Sequence, residues 1–387
     1  MTPAARIQTA GELLDAVLAG QAAEQALTRW ARGNRYAGSK DRAAIRDLVF
    51  DALRRKRSYA ALGGAETGRG LMLGALRASE TAIDEVFTGA RFMPAPVTEA
   101  ERAAFRSPSE DEVRDLPDWL WPEFARSLGD AAEAEARLLR ERAEVFLRVN
   151  LLKSNLDTAQ ARLSGEGIAT EPHALSPTAL RVTEGARRVH LSAAYGDGLV
   201  ELQDAASQAV VDALAPQPGQ SLLDFCAGGG GKALAMAAQA GGPVTAHDID
   251  PGRMRDIPAR AARAGAEITV QPAPQGVFDI VLCDAPCSGS GSWRRAPEAK
   301  WRLTEEGFAD LLGTQSEILD LAAPLVAPGG VLAYATCSVL APENREQVEA
   351  FLSRHPEWEL TTDRQWLPTD GGDGFYLAQL TRSGVTS

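Results

Sequence analysis

Leu222-Leu-Asp-Phe-Cys-Ala-Gly-Gly-Gly-Gly-Lys-Ala-Leu-Ala-Met-Ala-Ala238 joins an apolar run to an alanine-rich helix former through four consecutive glycines. An apolar run, a glycine turn and a helix in this order form a strand-to-helix corner where a nucleotide-like ligand can approach bare backbone. Gly228 to Ala233 satisfies the dinucleotide pattern G-x-G-x-x-A, and Asp248 lies where a ribose-binding acid belongs. A phosphate-cradling P-loop is excluded, because Cys226 and Ala233 stand where that pattern needs Gly and Ser or Thr. The loop alone leaves two readings open, a dinucleotide-dependent oxidoreductase and an enzyme of another adenosine-bearing cofactor. A ribose diol would suit Asp248 or Asp250 in either case.

Outward from this corner the texture repeats. Residues 244–250, 278–286 and 329–338 are further apolar runs, separated by helical or loop stretches. Such runs fit parallel strands buried on both faces, and their alternation with helices predicts a doubly wound α/β sheet. Small and polar residues gather at the expected carboxyl ends of these strands, where such sheets bind ligands. Upstream, residues 146–152, 179–183 and 199–203 are strand-like. Residues 5–90 read as a helical bundle, with Thr9 to Glu12 expected as a capping box. Residues 91–118, with Pro94, Pro96, Pro108 and Pro117 among many charges, read as a linker. Residues 119–145 return to helix.

The 387 residues carry a net charge of −12, which argues against indiscriminate nucleic-acid binding by the whole chain. The charge is uneven: residues 1–60 hold 11 Lys/Arg against 6 Asp/Glu, and Arg54 to Arg57 concentrate the surplus. No apolar stretch reaches the ~18 residues of a membrane span. The first residues lack the pattern of a signal peptide. The four cysteines, Cys226, Cys283, Cys287 and Cys337, form no C-x-x-C pair, so a reduced, cytoplasmic protein is expected.

Two of these cysteines sit in distinctive settings. Asp284-Ala-Pro-Cys287-Ser-Gly-Ser-Gly291 follows one expected strand, and Tyr334-Ala-Thr-Cys337-Ser338 ends another. A lone cysteine is usually a buried small hydrophobe; Cys283 is read that way and Cys226 as packing under the glycine turn. Two cysteines converging beside an acid and a nucleotide loop call for a different account. Further motifs accompany them: Arg294-Arg295-Ala-Pro-Glu-Ala-Lys300-Trp301, Thr314-Gln315-Ser316, Glu343-Asn344, Asp373-Gly-Phe375 and, upstream, Leu147 to Asn150 and Gln203-Asp204.

Taken together these motifs resemble the Sun/Fmu-type RNA (cytosine-5) methyltransferases, in particular the bacterial 16S rRNA branch. The resemblance spans nearly the whole chain and implies three parts. Residues 1–118 would be an all-α NusB-like RNA-binding domain with its Pro-rich linker. Residues 119–205 would be a helical connector and small α/β RNA-binding subdomain. Residues 206–387 would be the Rossmann-like methyltransferase domain. It further implies S-adenosylmethionine as cofactor, held by Cys226, Ala227, Gly228, Gly229, Gly230, Gly231, Lys232, Asp248, Asp250 and Asp284. Cys337 would be the nucleophile, Cys287 would assist proton removal and enzyme release, and Asp284 would bind the cytosine or the cofactor's reacting end. RNA contacts would come from Arg54, Arg55, Lys56, Arg57, Arg294, Arg295 and Lys300. A monomer without metal is expected.

The chemistry needs residues of this kind. Carbon 5 of cytosine is a poor nucleophile, and a thiolate adding at carbon 6 turns the ring into an enamine that attacks an electrophilic methyl. A base must then remove the carbon-5 proton so that the thiol can leave. Hydride transfer needs none of this. Three departures from the family pattern stand out: Gly228-Gly229 for Ala-Pro, Gln271 to Gly276 where an acidic residue is usual, and Ala296 for His. They predict a looser loop with a weaker hold on the cofactor, and they admit a second class, an RNA-binding paralogue with poor turnover. An exchange of the two cysteines' roles, with Cys287 attacking, is the arrangement of the DNA enzymes.

Overall fold

The computed structural model describes residues 1–382 and divides into two compact units. The first comprises residues 1–142 together with 293–302; the second comprises 143–292 and the remainder of the chain.

The first unit is helical. Helices α1 (Pro3–Leu18), α2 (Ala23–Gly33), α3 (Ser39–Arg54), α4 (Lys56–Gly63) and α5 (Gly68–Ala78) enclose a core that includes Leu14, Ile45, Leu53 and Leu71. The capping box expected at Thr9 is absent, because α1 begins earlier. Pro3 opens the helix and Thr2 caps it, accepting from the Ala5 amide, while the Thr9 hydroxyl bonds back to the Ala5 carbonyl. Helices α4 and α5 touch backbone to backbone: a Cβ on Gly74 would lie 2.0 Å from the Tyr59 carbonyl oxygen. The stretch 91–118 is no free linker. It forms two short helices with capping boxes at Thr98 and Ser109, and then delivers Asp115 to the start of α4. There the fully buried Asp115 carboxylate accepts from the amides of Arg57 and Ser58, orphan donors of that helix start.

The second unit contains both sheets. Strands β1 (Phe146–Val149), β2 (Ala169–Pro172), β3 (Ala179–Glu184) and β4 (Val200–Leu202) form an antiparallel sheet in the order β2-β3-β1-β4. Strands β5 (Leu222–Asp224), β6 (Val244–Ala246), β7 (Ile268–Val270), β8 (Phe278–Asp284), β9 (Val326–Thr336), β10 (Trp358–Trp366) and β11 (Phe375–Arg382) form a seven-stranded sheet in the order β10-β11-β9-β8-β5-β6-β7. Strands β5 to β9 pair in parallel; β10 and β11 are antiparallel additions at one edge. Two apolar clusters fill the layers on this sheet, one around Leu222, Leu282 and Ala335, the other around Leu223, Val281 and Tyr334. This is the alternation of faces that a strand buried on both sides requires. Strand β5 is the switch point, with β6 on one side and β8 on the other, so the crevice opens at the glycine turn.

The expected three-part division is drawn differently. Residues 119–142 and 293–302 cluster with the helical unit, and the small antiparallel sheet clusters with the large one.

Candidate active site

Parallel pairing brings the two cysteine motifs together. Strands β8 and β9 run side by side with Asp284 opposite Ala335, so the loops leaving their carboxyl ends are neighbours. Cys287 lies three residues past β8 and Cys337 directly follows β9. Their sulfur atoms are 3.4 Å apart. Cys283, within β8, is fully buried in the core.

The two thiols are not equivalent. The hydrogen bond from Cys287 draws Cys337 below the ordinary thiol range against the cost of its burial, and Lys232 acts in the same direction. Cys287 is pushed well up by that same contact and by burial, so it holds the proton. The Ser292 hydroxyl also points at Cys337 Sγ, at 3.9 Å. The geometry thus supplies what the sequence does not reveal, a local means of favouring one thiolate.

Glu343 ties the two cysteine loops to each other. Its carboxylate is fully buried. One oxygen accepts from the Ser288 amide at 2.6 Å and from Gln315 Nε2 at 3.1 Å; the other accepts from the hydroxyls of Ser288 and Ser338, each at 2.5 Å. Ser288 and Ser338 are the residues that directly follow the two cysteines. Asn344 continues the brace by donating to the Ser338 carbonyl. Gly291 donates to the Cys337 carbonyl and accepts from Gly374, and a Cβ on Gly291 would meet the Gly374 carbonyl at 2.2 Å. The sequence contains Glu343 within a motif, but its spacing assigns it no role; only the folded loops show that it spans both cysteines.

The glycine turn lies beside this pair. Gly228 and Gly230 adopt positive φ, +50° and +79°, and a Cβ on Gly230 would press into Ile257 at 2.9 Å. Asp248 is 2% exposed and is occupied in bracing the turn, accepting from the amides of Gly228 and Asp250. Asp250, by contrast, is exposed, as is the neighbouring Ile249. Ala227 is buried and Cys226 half-buried, with burial raising the Cys226 thiol. Gly229 is exposed and Gly231 opens the following helix, Gly231–Ala240. Arg148 reaches across from β1 to the Gly231 carbonyl at 2.8 Å and to Gln203, so two upstream motifs also brace the turn. Lys232 is not a helix-surface lysine. It is 6% exposed and donates to Asp284 at 2.7 Å, over the face of Phe375.

Asp224, at the end of β5, is a further residue that sequence reasoning did not single out. It is 1% exposed, and neither carboxyl oxygen has a hydrogen-bond partner. Burial, with Asp284 nearby, pushes its pKa up from 3.8 to about 7. Between about pH 4 and 7 the unfolded chain ionises this group while the folded chain keeps it protonated, so its contribution to stability falls as pH rises through that window. Asp224→Asn should accordingly stabilise the ligand-free protein increasingly from pH 5 to pH 8 in thermal unfolding. An increment independent of pH would contradict this.

The basic segments expected to face RNA are placed otherwise. Arg54 is buried and its Nε donates to the Arg294 carbonyl at 2.7 Å; Arg294 is itself buried. Lys300 is fully buried, donates to the Arg54 carbonyl at 3.0 Å, and has its pKa lowered by burial to about 7. Arg55 pairs with Asp51 and Glu141, Lys56 with Glu66, and Arg57 with Asp118. Trp301 donates to the Leu53 carbonyl at 2.7 Å and Trp293 is fully buried. The run at 54–57 and the segment at 293–302 thus lock to each other within the helical unit, as desolvated, paired side chains. Of these residues only Arg295 is exposed.

The strand order, the glycine turn after the first strand of the large sheet and the antiparallel strand pair at its edge define a Rossmann-like methyltransferase fold. A family model described as 16S rRNA methyltransferase RsmB/F matches residues 211–381, and one for the RsmF/B-like ferredoxin-like domain matches residues 116–189. This chain belongs to the RsmB/F methyltransferase family. It is 37% identical over 284 residues to ribosomal RNA small subunit methyltransferase B of Citrobacter koseri, a match covering 69% of this chain and 66% of that relative's length. Among solved structures, that of PH0851 is similar with a TM-score of 0.76 at 24% identity, covering 99% of both chains. A methyltransferase homologue from Pyrococcus horikoshii is similar with a TM-score of 0.60 at 23% identity, over 67% of this chain and 93% of its own. Among the described residues, no helix is long and apolar enough to cross a membrane.

Proposed function

We propose that this protein is an S-adenosylmethionine-dependent RNA (cytosine-5) methyltransferase acting on 16S rRNA. The observation that carries the reading is the sulfur pair: Cys287 and Cys337 lie 3.4 Å apart at the carboxyl ends of adjacent parallel strands. Lys232 and Asp284 connect that pair to the glycine turn.

The residues fit the cofactor. The turn offers backbone without side chains, Ile249 is 91% exposed where a purine ring would cover it, and Asp224 presents two unpartnered oxygens suited to a cationic amino-acid end. When bound, S-adenosylmethionine supplies an electrophilic methyl group. Cys337, the more readily ionised of the two thiols, adds as its thiolate to carbon 6 of a cytosine that has left its stack. Cys287 donates to that sulfur and stabilises its charge before the bond forms. Once carbon 5 is methylated, a water molecule takes its proton, the carbon 5–carbon 6 double bond re-forms as the carbon 6–sulfur bond breaks, and the same S–H stabilises Cys337 as the departing thiolate. Asp284, 33% exposed and held by Lys232, is the acceptor offered to the ring edge. Glu343 holds the two loops in register. Asp250 takes the ribose. A ribosomal RNA substrate sets this work in the cytoplasm.

The decisive experiment supplies the full chain with methyl-labelled S-adenosylmethionine and unmodified small-subunit rRNA. Label is expected in 5-methylcytosine after digestion to nucleosides. Binding of both RNA and cofactor without any methylated cytosine would overturn the reading.

A further inference from the structure

The charge surplus in residues 1–60 is left unpaired at one corner. Of the 11 basic side chains there, Arg6, Arg46, Arg55, Lys56 and Arg57 sit in ion pairs. Arg42 and Arg54 donate to backbone carbonyls. The remaining four, Arg29, Arg32, Arg35 and Lys40, are exposed, and among the described residues they have no ion pair or side-chain hydrogen bond. All four lie within a single corner, the second half of α2, the turn after it and the first turn of α3. From Gln25 to Lys40 there is no acidic residue. The acids at its two borders are already neutralised, Glu24 by Arg46 and Asp41 by Arg6. In the middle of the corner Tyr36 is 74% exposed.

We propose that this α2–α3 corner, and not the Arg54–Arg57 run, is the surface on which the helical unit docks the RNA backbone. The proposal rests on the reading of the protein as an RNA methyltransferase and names where that substrate is held. Exposed guanidinium groups free of acidic partners keep their full charge and donor set for phosphate, whereas paired ones would first have to break a contact. Arg29 and Arg32 are three residues apart on a helix and so present to the same side. A chain with net charge −12 repels a polyanion over most of its surface, so a corner of four uncompensated cations directs the approach. The exposed Tyr36 ring offers an unstacked base a platform, which favours single-stranded or looped RNA over an acidic protein partner.

The test uses the full chain, a fluorescent single-stranded fragment of small-subunit rRNA and a salt series. Replacing Arg29, Arg32, Arg35 and Lys40 together by Ala should weaken RNA binding by about 10-fold or more and reduce the slope of log K against log salt by up to about 2.8. Tyr36→Ala should weaken binding by about 5-fold with the slope unchanged. Cofactor affinity and the thermal midpoint should stay at wild-type values, since these side chains hold nothing in the fold. RNA affinity and slope unchanged in the fourfold variant would overturn the proposal. So would loss of binding to anionic lipid vesicles with RNA binding intact. A wild-type chain that binds RNA through the corner but transfers no methyl group would leave the corner standing and remove the enzymatic reading instead.

Discussion

Cys337→Ala is expected to reduce methyl transfer to background while leaving RNA and cofactor affinity within about 2-fold of wild type, because the sulfur acts in bond formation and little in ground-state binding. Cys287→Ala is expected to behave differently. It removes the S–H that faces Cys337 at 3.4 Å and that holds its charge. The altered enzyme should still form the bond to cytosine but release it slowly, since its leaving thiolate has lost a hydrogen-bond donor. A protein–RNA species stable to denaturing electrophoresis should therefore accumulate with Cys287→Ala and be missing with Cys337→Ala. The opposite pattern would mean that Cys287 attacks and that the pairing of the two thiols has been read in reverse.

Glu343→Ala is expected to produce the largest loss that touches neither sulfur. The substitution leaves an amide, two hydroxyls and a side-chain amide without their acceptor in a fully buried site. An unpaired buried donor costs ~1–3 kcal/mol, so destabilisation of at least about 3 kcal/mol is anticipated in denaturant unfolding. The two loops would lose their common anchor, and a shift of about 1 Å between the reacting groups is enough for a ~10²-fold fall in kcat. Glu343→Gln keeps the shape and one acceptor, and the serine hydroxyls can reorient to receive from its amide; it should recover most of the stability and part of the rate. If both variants turned over like the wild type, Glu343 would be a fold residue without influence on the cysteines.

The sequence is most informative where local pattern and tertiary role agree. The apolar runs at 221–227, 244–250, 278–286 and 329–338 become β5, β6, β8 and β9, because a strand covered on both faces has no room for polar side chains. Edge strands lack that signature. Residues 358–366, read as Trp-Glu-Leu-Thr-Thr-Asp-Arg-Gln-Trp, bury mainly the two tryptophans and form β10 through backbone pairing with β11. Residues 268–270 form β7 with little burial for the same reason. The cysteine motifs are legible as motifs, but their 3.4 Å approach depends on the parallel register of β8 and β9, which no local pattern encodes. Charge misleads most. Four consecutive basic residues at 54–57 invite a nucleic-acid reading, yet long-range partners such as Glu66, Glu141 and Asp118 consume them. Arg29, Arg32, Arg35 and Lys40 are spread along the chain and attract no notice until the folded partners of every other cation are known.

The ten residues from Trp293 to Arg302 depart from the second unit and return to it, having packed within the first. A chain that visits its neighbour's interior in this way has no single point at which it can be divided. Cutting near residue 143 would separate the two polypeptides but strand this excursion on the wrong fragment, with two tryptophans and a buried lysine deprived of their shelter. The helical unit would likewise be left with an open slot beside Arg54. Synthesis from one gene, with the slot made first and its insert some 240 residues later, thus means that the amino-terminal fold is finished only when most of the catalytic sheet has been made.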